Sequence, residues 1–172
     1  MQKILGALVI LAAALGYASF CIRNQREHLR QLLLWKEYIW AIQNRMESWN
    51  MPVLPLLEEM GENSQKPFSS FFSELASSLQ TYDEADVLKQ WRSIAEKKQK
   101  EFEWNREEWD TFLDGGKMLV RLDKELIRME GTQLSGRVDF FYKQAQAESA
   151  KREKLYLYLS TSAGIMLILL LV

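Results

Sequence analysis

Two uncharged stretches, one near each end, set the terms for everything between them. Residues 4–22 (ILGALVILAAALGYASFCI) carry no charge over 19 positions, and residues 155–172 (LYLYLSTSAGIMLILLLV) carry none over 18. As helices rising about 1.5 Å per residue they would reach roughly 27–28 Å, close to the ~30 Å hydrocarbon core of a bilayer. The expectation is a transmembrane helix at 4–22, a second at 155–172, and a domain at 23–154 between them. A chain held at both ends has no free arm, so its work is expected from the 132 residues between the anchors.

The flanking charges give the orientation. Arg23, Arg26 and Arg30 follow the first stretch against Glu27 alone. Lys143, Lys151, Arg152 and Lys154 precede the second against Glu148 and Glu153, and only Lys3 lies beyond the far ends. Basic residues beside a span favour the cytoplasmic side, so a two-pass protein of the cell membrane with a cytoplasmic middle is expected. A cleaved signal peptide, with Ala12-Ala13-Ala14 as its site, fits less well because it would leave an apolar remnant ahead of the arginines. Cys21 is the single cysteine, which excludes an internal disulfide and a cysteine metal cluster. Phe20 before it argues against a lipid-modified cysteine, and a small packing residue is the simpler reading.

The middle holds 21 of the 22 basic residues and all 23 acidic ones, a formal charge of −2. That is no footprint for nucleic acid. Only Pro52, Pro55 and Pro67 punctuate the chain, strand-like alternation is scarce, and helix formers abound, so the fold class is all-α: a bundle of about five or six helices carrying the two anchors.

Spacing places those helices. Leu29, Leu32, Trp35, Ile39, Ile42, Met46 and Trp49 recur at three- and four-residue steps, which predicts one buried face. Asn50, Pro52 and Pro55 end that helix, and Pro55 is suited to the first turn of a short helix through Met60 to Gly61. After a polar loop at residues 62–66, Phe68, Phe71, Phe72, Leu75 and Leu79 are spaced for a third helix. Thr81 or Asp83 is a candidate cap for a fourth, carrying Val87, Leu88, Trp91 and Ile94. Trp104, Trp109, Phe112 and Leu113 form the next apolar set, and Gly115-Gly116 reads as a turn that breaks it. Leu119, Leu122, Leu126 and Met129 resume the pattern. Gly131 and Gly136 weaken helix propensity, and Leu134, Val138, Phe141 and Ala145 lead to the second anchor.

No constellation for chemistry is visible. Gly115-Gly116-Lys117 superficially matches a phosphate loop, but Thr111 stands where the first glycine is needed and Met118 where Ser or Thr is needed. Asp110 and Asp114 fit parts of a calcium loop, yet Phe112 and Arg121 occupy ligand positions. His28 is the only histidine and has no catalytic or metal-ligating partners in sequence. Glu58-Glu59 and Glu107-Glu108 are adjacent pairs, about 100° apart on a helix, so neither makes an acid–base pair. No catalytic, cofactor-binding or metal residue is assigned, and a non-enzyme without a cofactor is expected.

The layout resembles the stage III sporulation protein AB family of endospore-forming bacteria over essentially the whole chain. The resemblance rests on Lys3-Ile4-Leu5-Gly6-Ala7, on His28-Leu29-Arg30-Gln31-Leu32 through Met46, and on the elbow Pro52-Val53-Leu54-Pro55-Leu56-Leu57-Glu58-Glu59. Pro67-Phe68, Glu153-Lys154-Leu155-Tyr156 and Ala163-Gly164 in the terminal stretch add to it. Leu119 and Asp123 fit a further family pattern, in which Val120 and Ile127 replace its usual glycine and glutamine.

That resemblance implies a scaffold: an inner-membrane platform subunit of a secretion-like complex linking mother cell and forespore. Its cytoplasmic domain would be similar to the platform proteins of type II secretion machines and would dock the complex's ATPase. The implied location is the mother-cell membrane around the forespore. The implied partners are the membrane and the other subunits of that transenvelope complex, with self-association open and nucleic acid excluded. The alternative is a platform of an ordinary type II secretion or type IV pilus-like system, although such proteins usually duplicate the helical domain. A sensor would need a signalling module after the second span, and the basic flanks point the other way.

Overall fold

The computed structural model describes residues 2–81 and 87–171, and the side chains of most of residues 2–18 and 153–171 lie outside that description. Among the described residues the chain is all-helical. Helix α1 spans Gln2–Trp49, α2 Val53–Asn63, α3 Phe68–Thr81, α4 Val87–Lys98, α5 Arg106–Leu119 and α6 Lys124–Leu171, with a 3-10 turn at Gln99–Glu101 between α4 and α5. The chain divides into two compact units. Arg30–Tyr142 is one, and Met1–Leu29 with Lys143–Val172 is the other.

In the terminal unit Cys21 is half-buried, and Arg152 lies 3.6 Å from Glu148 one turn away. Among the described residues no helix is long and apolar enough to cross a membrane. The expected spans at 4–22 and 155–172 fall mostly on residues whose side chains lie outside the description.

The central unit forms around the face that the periodicity of α1 predicts. Leu32, Trp35, Ile39, Ile42 and Met46 are all buried. The face stops there. Trp49, expected to continue it, is 69% exposed and carries the Arg45 guanidinium 6.0 Å above its ring. Asn50 ends the helix in the left-handed region (φ 50°), and the Met51 N–H donates back to the Arg45 carbonyl at 3.1 Å. Asparagine tolerates that backbone better than most residues.

Helix α2 runs two residues further than expected, so the polar connection shortens to residues 64–67. It packs against α3, which buries every member of its predicted set: Phe68, Phe71, Phe72, Leu75 and Leu79. Helix α4 buries Val87, Trp91 and Ile94, with Leu88 half-buried. The cap expected at Thr81 or Asp83 falls at positions outside the described residues and side chains. Helix α5 opens with a capping box, which closes two otherwise orphaned N–H groups at once. The Glu108 N–H donates to Asn105 Oδ1 at 3.0 Å, and the Asn105 N–H donates to Glu108 Oε2 at 2.8 Å.

Aromatic rings fill the middle. Phe112 on α5 is fully buried, with ring centroids 4.9 Å from Trp35, 4.9 Å from Phe71 and 5.2 Å from Trp91. On its other side Phe102, Trp104 and Trp109 each lie 5.3 Å away. Such ring pairs contribute about 0.5–1.5 kcal/mol beyond their burial. The Trp91 indole N–H donates to the Phe112 carbonyl at 3.1 Å, so it is buried without being orphaned.

Two further expectations need correction. Gly115-Gly116 is not a turn but lies inside α5. A Cβ on Gly115 would come within 2.7 Å of the Trp35 ring, and one on Gly116 within 2.7 Å of the Trp91 ring. The absence of side chains lets both indoles pack on helical backbone, and that contact outweighs a propensity cost of about 1 kcal/mol per glycine.

The second correction concerns α6, which runs unbroken through Gly131 and Gly136. Its inward face is Ile127, Gly131, Leu134 and Val138. Leu126 and Met129, expected inside, are exposed, and Leu122, just before the helix, is fully exposed. The helix carries two apolar faces, and periodicity alone does not say which one is covered.

Ion pairs tie helices together at the rim. Arg45 on α1 hydrogen-bonds Glu59 on α2 through both its Nε and Nη2, and Lys36 on α1 meets Asp139 on α6 at 2.5 Å. The hydrogen bond from Arg45 holds the Glu59 carboxyl below its ordinary value, against a weaker opposing effect of burial.

The glycines give a test in which the sign decides. Gly115→Ala and Gly116→Ala should each destabilise the protein by about 1–3 kcal/mol, because the indoles they meet are rigid and enclosed. Gly136→Ala, with nothing within 4 Å of the new Cβ, should stabilise it by about 0.5–1 kcal/mol. Tryptophan fluorescence during denaturant unfolding reads both, and destabilisation by all three would remove the packing argument. Glu59 supplies a pH test. Because its folded value is depressed, its contribution is complete above the ordinary 4.5 and is lost as pH falls through the lower folded value. The drop in unfolding midpoint below about pH 4.5 should be shallower in Glu59→Gln than in the parent.

Candidate functional site

Several of the residues weighed for chemistry take part in contacts of the fold. Lys117 lies on α5 and meets Asp114 at 2.7 Å, one turn earlier. Asp114, the candidate calcium ligand, also receives Arg137 from α6 at 3.0 Å. Burial pushes the Asp114 carboxyl up, but its hydrogen bonds to Lys117 and Arg137 together hold it below its ordinary value. Asp110 stands exposed on α5. Glu108 serves the α5 cap, Glu59 serves Arg45, and Glu58 accepts from Gln80 at 2.7 Å. His28 is half-buried in the terminal unit. Among the described residues no group of three or more His, Cys, Asp or Glu could hold a metal ion.

A polar groove runs between α5 and α6. Its cavity of about 280 Å³ is lined by Asp114, Lys117, Arg121, Glu130 and Arg137, with Met118 and Leu134 also in its wall. Arg121, in the connection between the helices, donates to Glu130 from Nε at 2.8 Å and from Nη2 at 2.6 Å. Three cations thus face two carboxylates, which leaves one positive charge in excess. Asp114 with Arg137 joins α5 to α6, Lys117 with Asp114 lies within α5, and Arg121 ties the connection to α6.

Large apolar side chains also lie on the surface. On α1, Trp40 is 65% exposed, and with Leu33, Ala41 and the stem of Lys36 it lines a groove of about 560 Å³ that reaches Ser135 on α6. On α6, Leu126, Met129 and Phe140 are exposed along the outer side, and Leu122 stands at its entry. Scattered exposed apolar residues are ordinary, whereas large side chains sharing a face are the usual mark of a contact surface. The sequence reading counted Leu122, Leu126 and Met129 as core and gave Trp40 no role. The signal for Trp40 lay in its position one residue past Ile39, off the buried stripe. Asn105 with Glu108 three residues on was likewise a readable capping box.

The family model for stage III sporulation protein AB matches residues 3–172. A solved structure of a stage III sporulation protein AB (SpoIIIAB) superposes with a TM-score of 0.64 at 14% identity, covering 72% of this chain and 97% of that one. At that identity the likeness shows the fold alone. A comparison with curated proteins returns no match. With the family model spanning nearly the whole sequence, the chain belongs to the stage III sporulation protein AB family, and its role lies in sporulation.

Proposed function

We propose that this chain is a platform subunit of a secretion-like complex that links mother cell and forespore during endospore formation. In this reading residues 4–22 and 155–172 cross the mother-cell membrane, the helical domain faces the cytoplasm, and that domain receives the complex's ATPase. The observation that carries the proposal is the family match over residues 3–172. The uncharged stretches and their basic flanks supply the topology. A scaffold role also suits a surface on which large apolar side chains such as Trp40 and Phe140 remain outside. The protein is proposed to be a non-enzyme that works through contact.

Topology has a direct test. After Cys21→Ser, single cysteines at the exposed positions Glu62 and Lys97 should resist a membrane-impermeant thiol reagent in intact cells and react after lysis. Lys98 is a poorer site, since its side chain is only 14% exposed and sits 3.2 Å from Glu74. Labelling of intact cells would overturn the cytoplasmic assignment. For the partner, full-length protein in membranes should capture the sporulation ATPase. Trp40→Ala and Leu122→Asp, both at exposed positions, should shift unfolding by less than about 0.5 kcal/mol. Loss of capture by either would mark its face as the contact, and no capture by the parent protein would remove the platform reading.

A further inference from the structure

We propose that four basic side chains of the terminal unit, Arg23 and Arg26 on α1 and Lys151 and Arg152 on α6, form a binding surface for the headgroups of anionic phospholipids. The proposal rests on the reading of residues 4–22 and 155–172 as bilayer spans.

Charge is divided between the two units in a way that the near-neutral total conceals. The terminal unit, Met1–Leu29 with Lys143–Val172, holds 7 basic and 3 acidic residues, a formal charge of +4. The central unit, Arg30–Tyr142, holds 15 basic and 20 acidic residues, a charge of −5. A chain of net charge −1 thus concentrates its positive charge where its apolar stretches are.

Position along the helices supplies the depth. Arg23 and Arg26 stand one and four residues beyond the first uncharged stretch, and Arg152 and Lys151 stand three and four residues before the second. Four helical residues span about 6 Å, and the headgroup layer on each side of the hydrocarbon core is roughly 5–7 Å thick. The four side chains therefore fall at the level of the lipid phosphates. Lys143, twelve residues before the second stretch, falls about 18 Å away.

All four side chains are exposed, and both segments belong to one compact unit. Glu148 lies 3.6 Å from Arg152, a long contact between exposed groups that a phosphate could replace. Arginine suits that ligand because its planar fork takes two phosphate oxygens at once. Each basic residue held near an anionic lipid surface adds about a fivefold preference for it, and salt weakens the effect.

The test uses full-length protein in nanodiscs of phosphatidylglycerol and phosphatidylcholine, with shell composition read from spin-labelled lipids. At low salt the shell should be enriched in phosphatidylglycerol by about fivefold or more, and the enrichment should shrink as salt rises. Arg23→Gln/Arg26→Gln and Lys151→Gln/Arg152→Gln should each lose a large part of it, the combined variant most of it, and Lys143→Gln almost none. Equal shells for the parent and the combined variant would overturn the proposal, as would an equal loss from Lys143→Gln. Insertion is measured separately, as resistance to alkaline extraction from pure phosphatidylcholine vesicles. A parent protein that does not insert there would overturn the bilayer reading, whereas one that inserts without lipid preference would overturn only the headgroup surface.

Discussion

Two indole rings lying on bare helical backbone fix the arrangement of the central unit. Gly115 admits Trp35 from α1, and Gly116 admits Trp91 from α4, so one turn of α5 is seated between two other helices. Phe112, one turn earlier, then falls where both indoles reach it, at 4.9 and 5.2 Å. Its carbonyl receives the Trp91 N–H, which locks the axial position of α4 as well as its facing. The remaining rings follow from this seat. Phe71 from α3 enters beside Trp91 at 4.7 Å, and Phe102 and Trp104 close the opposite end of the cluster.

That arrangement has a consequence for the surface. Helix α5 takes the inward face of α6 through Leu134, which lies 3.5 Å from the Cβ position of Gly115. Asp114 with Arg137 holds the same pair of helices from the rim, and Arg121 in the connection holds Glu130 of α6. With its phase set in this way, α6 must turn Leu126, Met129 and Phe140 outward. An exposed apolar face on a helix already packed on its other side gives nothing to the fold.

Much of this was legible in the sequence, and the failures share a cause. The faces of α1 and α3 were readable because a single apolar stripe has one place to go: Ile39 and Phe72 were expected inside and are. Leu122, Leu126 and Met129 were misplaced because two stripes compete on α6 and only the tertiary neighbours choose between them. Gly115-Gly116 was misread because glycine in a helix is a local cost, and its compensation lies in rings 80 and 25 residues away along the chain. Trp49 was misread because periodicity carries no information about where the covering helix ends. The exposed apolar surface was illegible for the same reason as the α6 phase: exposure is a property of the assembled fold.

The solved relative keeps this fold at 14% identity, and the physics of the core shows how that is possible. Buried positions tolerate exchange among apolar residues so long as volume and pattern persist, and charged helix faces tolerate more. The least exchangeable elements here are few: two glycines facing two tryptophans, the left-handed Asn50, and the capping box of Asn105 and Glu108. Charged side chains that join or cap helices, such as Asp114, Glu59 and Glu108, fix the helices at a few further points. The outer faces are freer, because Trp40, Phe140 and Leu122 are exposed and can change without disturbing the rings beneath them.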